Sequence, residues 1–226
     1  MKISSFIFLI FLFSGRIYYA QVPTFSKTFK DTLRLSCLSS RPVEIDSGIY
    51  LVASAGGGLS LLEGGYQRIY SVNDLGEKQI DRLHYDTTRR FFGFSRLKKS
   101  IDGNLLLAST RSLDGGTGGN RMFILKLSPD LSDTIWSYYN HDSLYFDTTK
   151  DLFEAPDGDI VVIINRDFFG ADSTTGVFIR LNSEGSYQAE AVMRERMVQH
   201  PENVVLMNNG NFLIGGDRGT ISNAGL

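Results

Sequence analysis

The sequence predicts an all-β chain of repeated four-stranded antiparallel sheets, and three observations predict it. Short turns recur at a near-constant period: Ser47-Gly48, Asp102-Gly103, Asp157-Gly158 and Asn209-Gly210 each precede an apolar run, and their glycines fall 55, 55 and 52 residues apart. Strand-type segments recur in phase with those turns. The composition agrees, with 12% aromatic residues and 23 Gly against 5 Pro, because many tight turns between aromatic and β-branched stretches favour strands over helices.

Taken in order, the first element is a leader. Lys2 precedes an almost unbroken apolar run over residues 3–13, too short to span a bilayer comfortably, which is the form of a signal peptide. The expectation is a signal peptide over 1–20, cleaved after Ala20 to leave Gln21 first, and a mature chain without a membrane span that is secreted or held at the cell surface. Residues 33–38 alternate like a strand and hold Cys37, the single cysteine, which forms no intramolecular disulfide and is assigned to packing.

Residues 21–226 form the repeat domain, marked by Gly48, Gly103, Gly158 and Gly210. Asp-Gly and Asn-Gly tolerate positive φ, so each marker is expected to be a two-residue hairpin between strands A and B. In the second repeat, A spans 94–101, B 104–110, C 120–127 and D 133–139. The B strands are apolar without alternation, as suits a strand covered on both faces. Four-stranded sheets repeated at this period are the signature of β-propeller blades, and the strict period argues against the β-sandwich, the competing all-β design.

The fourth repeat supplies only strand A near 204–207 and strand B near 211–215. The expectation is therefore an incomplete ring of three blades and a partial fourth, with residues 32–37 available as a strand D beside the last blade. Unpaired edges would invite self-association. Strand alternation sends the B–C loops (115–119 and 167–176) and the D–A connections (84–88 and 141–149) to one face, opposite Asp102-Gly103, and any ligand site is expected there.

The order D-G-apolar, a Gly-rich loop, F-I-L-K-L-S-P-D and then T-I-W-S-Y resembles the propeller repeats of secreted bacterial proteins, notably cargo of the type IX secretion system and quinoprotein-like repeats. The resemblance covers nearly the whole mature chain. It implies a propeller fold, an exported protein and, in full-length relatives, a C-terminal sorting domain; it is specific for fold and poor for function. Ser128, Asp130, Thr134 and Trp136 also resemble the Asp-box turn of sialidases, with Ser132 in place of its Gly and the Trp one residue late. In that family the box is a structural turn.

A net charge of −2 without a basic excess excludes the electrostatic footprint of a nucleic-acid or anionic-membrane binder. His84, His141 and His200 are expected between a D strand and the next A strand, and two of these connections repeat Asp-Thr-Thr at 86–88 and 147–149. Equivalent loops acquire similar residues because they make similar turns, so no metal is expected. The glycines at 56–58 and 115–119 precede a strand rather than a helix and form no phosphate cradle. Arg89, Arg90, Arg96, Lys98 and Lys99 are expected to form a solvated edge. No catalytic residue and no cofactor is expected. The candidate ligand-binding residues on the loop-bearing face are His84, Asp86, Thr88, His141, Asp147 and Thr149. The function expected is an exported binding or scaffold module for a glycan, a peptide or another surface protein; the alternative is part of a secreted propeller enzyme such as a sialidase-like glycoside hydrolase.

Overall fold

The computed structural model describes residues 36–39, 42–46, 49–57, 65–86, 91–112, 119–140, 145–168, 174–193, 199–207 and 212–218. Residues 1–20, where a leader is expected, the markers Gly48 and Gly210, and Thr88, Arg89, Arg90 and His141 lie outside them.

The described chain is all-β, in antiparallel sheets that follow one another along the sequence. Blade 1 holds β1 (Ser36–Ser39), β2 (Val43–Asp46), β3 (Ile49–Gly57), β4 (Gly65–Asn73) and β5 (Lys78–Asp86). Blade 2 is β6 (Phe91–Lys99), β7 (Leu105–Ser112), β8 (Asn120–Leu127) and β9 (Thr134–Tyr139), in that order across the sheet. Blade 3 repeats it with β10 (Tyr145–Glu154), β11 (Ile160–Phe168), β12 (Thr174–Leu181) and β13 (Tyr187–Val192). A hairpin of β14 (Gln199–Leu206) and β15 (Phe212–Arg218) follows.

Two expectations are corrected here. The N-terminal strand does not serve as strand D of the last blade: Ser36–Ser39 pairs with β3, Cys37 opposite Gly56, while Val43–Asp46 pairs with the other half of the same strand. β1 and β2 are thus one interrupted strand A of blade 1. The hairpins also carry three residues rather than two. Ser100 N–H donates to Asn104 O and Gly103 N–H to Ser100 O, with Gly103 at φ +86; Ala155, Asp159 and Gly158 (φ +87) repeat the arrangement. This is a turn closed by a left-handed residue, in which only the glycine needs positive φ. The preceding Asp instead braces the turn through its side chain, since Asp102 Oδ1 accepts the Asn104 N–H and Asp157 Oδ1 the Asp159 N–H.

The core lies between successive sheets. On β7, Leu105 and Leu107 face blade 1, meeting Leu51 and Ile69, while Leu106 and Ala108 face blade 3, meeting Leu152, Val162 and Ile164. This explains the unbroken apolar run of a B strand, since both pleat faces are dry. A third layer joins Phe153 and Ile163 of blade 3 to Val204 of β14. The inner strands are also cross-linked by polar groups. Asp151 accepts from Val204 N–H of β14 at 2.9 Å and pairs with Lys98 Nζ of β6 at 3.0 Å, so one carboxylate ties three sheets together. Lys98 therefore links blades rather than decorating a solvated edge.

Candidate functional site

β10 runs from Tyr145, opposite Phe168, to Glu154, opposite Ile160. At its far end Glu154 accepts from the Ser100 hydroxyl and the Ile101 N–H of the preceding hairpin. Asp102-Gly103 and Asp147 therefore stand at opposite ends of the blades, and the loop-bearing end is the one that holds Asp147.

There a polar cluster lies between blades 2 and 3. Asp147 is fully buried and faces Arg166 of β11, its cross-strand partner. Arg166 Nε donates to Asp147 Oδ1 at 2.8 Å and Nη2 to Oδ2 at 3.3 Å, a bidentate pair; Asn140 Nδ2 adds a bond to Oδ2 at 2.6 Å. Arg166 Nη1 reaches on to both oxygens of Glu190 on β13, at 3.2 and 3.0 Å, and its guanidinium lies 4.6 Å from the Tyr145 ring centre. The chain of charges runs outward, from buried Asp147 to a Glu190 side chain 37% exposed. Burial opposes the charge on Arg166, yet the bonds to Asp147 and Glu190 outweigh it and raise its pKa further. Burial pushes the Tyr138 phenol up, and the neighbouring Tyr187, Asp147 and Glu190 add to this.

The placement of the sequence candidates differs from expectation. Asp147 and Thr149 are strand residues, not residues of a D–A connection, because β10 already begins at Tyr145. Thr149 is also fully buried: its hydroxyl donates to Ser109 O at 2.7 Å and its N–H to Thr110 Oγ1 at 2.9 Å, stitching β10 to β7. A bulge between Thr149 and Asp151 resets the pleat, so that Thr149 and Leu152, three apart, both face blade 2. His84 and Asp86 lie within β5, opposite Gln67 and Gly65, and His200 lies within β14. Of the described histidines, His84 therefore belongs to a D strand and His200 to an A strand, and the two are not equivalent. Among the described residues no three of His, Cys, Asp and Glu gather where they could hold a metal.

Sequence reasoning does not single out Arg166, Glu190, Asn140 or Arg121. Arg166 carries a signal nonetheless: it ends the series Ile160, Val162, Ile164 on one pleat face, where a charge needs a buried partner. Arg121, at the start of β8, is 1% exposed; its Nη1 donates to Asn120 O at 2.9 Å and to Tyr145 O. Its Nε and Nη2 have no acceptor among the described residues.

The Asp-box-like turn is structural. Asp130 Oδ1 accepts from the Ser128 hydroxyl at 2.6 Å and from Ser132 N–H at 3.1 Å, which holds its carboxyl down at about 2. Leu131, not the residue in the Gly position, has positive φ (62°) and is buried in the blade 1–blade 2 core. The left-handed conformation costs a leucine about 1–2 kcal/mol, which this burial offsets. Trp136 projects to the next blade, donating to Ser183 O at 3.0 Å and covering Gly185, where an added Cβ would sit 2.6 Å from the ring.

These features define a propeller-type, all-β chain whose polar cluster sits between blades at the loop-bearing end. No family model and no curated protein matches the sequence. Among solved structures it is similar to an endo-arabinase from Bacteroides thetaiotaomicron VPI-5482, at 13% identity and TM-score 0.51 over 76% of this chain and 67% of that one. The Glu150Asp mutant of Synechocystis apocarotenoid oxygenase aligns over 82% of this chain and 50% of its own, at 10% identity and TM-score 0.44. The first likeness is one of fold.

Proposed function

We propose that the chain is an exported binding or scaffold module that offers the loop-bearing end of its blades to a glycan, a peptide or another surface protein. The observation that carries this reading is the occupancy of the buried carboxylates. Asp147 is spoken for by Arg166 and Asn140, and Asp151 by Lys98 and two backbone N–H groups, so neither is held as an acid or base awaiting substrate. Such a cluster instead fixes the surface above it, with Glu190 at its exposed end.

Export as cargo of the type IX kind belongs to the same proposal. Export is supported by Lys2 and the apolar run behind it, and the type IX route by the resemblance of the repeats alone. A glycan array followed by calorimetry on the full chain tests the binding role: saturable binding without turnover, weakened by Glu190→Lys, is the expected result. The second reading, part of a secreted propeller enzyme of the glycoside hydrolase kind, is favoured by the fold it shares with an endo-arabinase. Release of oligosaccharides from arabinan, abolished by Asp147→Asn without loss of folding, would replace the first reading with the second.

A further inference from the structure

We infer that the outer rim of the seam between blades 2 and 3 is a docking site for a peptide segment that presents an arginine, its guanidinium stacked on Tyr187 and paired with Glu190. The inference rests on the binding-module reading and names a partner for the exposed end of the Asp147–Arg166–Glu190 chain.

Strand register builds the site. Leu181 and Ile179 of β12 both join the core between blades 2 and 3, and their partners on β13 are Tyr187 and Glu190. Those two lie three apart in sequence and share one side only because the register shifts between Arg180 and Leu181. Across the seam, Tyr138 of β9 packs against the same aliphatic core. β13 is the last strand across blade 3, and all its residues are exposed. Two tyrosines and a carboxylate thus stand at the mouth of one seam, with Tyr187 49% exposed.

Charge decides what kind of partner suits it. The chain Asp147–Arg166–Glu190 sets two carboxylates against one guanidinium, so one negative charge remains, and Glu190 is its exposed end. The Tyr138 phenol registers the same balance: burial raises it most, Tyr187, Asp147 and Glu190 add to this, and Arg166, which opposes them, acts least. Tyrosine faces are electron-rich, so ring and carboxylate both favour a cation.

The way this chain holds its own arginine favours guanidinium over ammonium. Arg166 makes a bidentate contact with Asp147 while its guanidinium lies 4.6 Å from the Tyr145 ring centre. A carboxylate beside an aromatic face suits the planar fork of arginine better than the compact lysine ammonium. Glu190 and Tyr187 offer that combination outward. Each Glu190 oxygen takes a contact from Arg166 Nη1, at 3.2 and 3.0 Å, which fixes the carboxylate and leaves further lone pairs to accept from a partner.

An NMR titration of the full chain with the acetylated, amidated peptide Gly-Ser-Arg-Gly-Ser tests this. Saturable shifts confined to β9, β13 and the Arg166 side chain are expected, and they should weaken as salt rises. The citrulline peptide, which keeps the shape and loses the charge, should not bind, and the lysine peptide should bind at least threefold more weakly. Glu190→Gln and Tyr187→Ala should each weaken binding at least fivefold with circular dichroism unchanged. Equal binding of the citrulline peptide, or binding unmoved by both substitutions, would overturn the inference. So would binding seen only after Arg194→Ala and Arg196→Ala, which would make this chain's own arginines the occupant. Absence of arginine-peptide binding would overturn it too; saturable binding of a glycan in that case would leave the binding-module reading standing, whereas glycan turnover would remove that reading.

Discussion

The seam between blades 2 and 3 and the hairpin that follows blade 3 are built from the same repeat, yet they differ in what each face meets. At the seam, aliphatic residues of β7 and β8 close on β11 and β12, the Asp147–Arg166–Glu190 chain stiffens the loop-bearing end, and Trp136 clamps the Ser183–Gly185 turn. The hairpin has the same residue pattern on one face only. Among the described residues, four of the nine exposed large hydrophobic side chains, Val205, Met207, Phe212 and Leu213, fall on or beside it. An apolar run in a repeat of this kind thus states a capacity for burial, and the neighbouring sheet decides whether it is used.

The equivalent positions Phe153 and Val205 give the widest separation. Phe153→Ala empties a covered site and should cost about 3–5 kcal/mol in chemical denaturation, whereas Val205→Ala should stay within about 0.5 kcal/mol. Equal effects would break the comparison. Arg166→Met should rank close behind, because it strands buried Asp147 without its cation, at about 3–5 kcal/mol. Glu190→Gln, at the exposed end of the same chain, should cost under about 1 kcal/mol, which sharpens where the burial lies.

Gly185→Ala should cost on the order of 2 kcal/mol, as it meets a positive φ and the Trp136 ring together. In a double-mutant cycle with Trp136→Ala the steric part should vanish and the backbone part persist. The smallest effect concerns pH. The Ser128 hydroxyl and the Ser132 N–H hold Asp130 at about 2, below the unfolded value of about 3.9. Its contribution to stability is therefore full above that unfolded value and is lost as pH falls through about 2. Carboxyl chemical shifts should show Asp130 still ionised at about pH 3, and Ser128→Ala should raise its midpoint.

Much of the fold is legible in the sequence because turn chemistry and period are local. Strand C of the second repeat, 120–127, matches β8 at both ends. Strand A of that repeat, expected at 94–101, runs Phe91–Lys99, since Ser100 and Ile101 belong to the longer turn. The pairing of Ser36–Ser39 is not legible, because an alternating edge strand suits either end of an open stack equally well. The site divides the same way. Asp147 and Thr149 stand out through the repeated Asp-Thr-Thr, but what they touch depends on strand registry and on the bulge after Thr149, and neither leaves a mark in a single sequence. Arg166 lies 19 residues from Asp147 and meets it only because β10 and β11 are paired.

Trp136 is the only tryptophan in the chain. With its indole N–H bonded to Ser183 O and its ring lying over Gly185, it stands at one seam and no other. Intrinsic fluorescence is therefore a local optical reporter: opening between blades 2 and 3 exposes the indole to water and shifts its emission to the red, whereas fraying of the β14–β15 hairpin passes without a signal. A melting curve followed by emission and one followed by backbone absorption would coincide only if the blades come apart together.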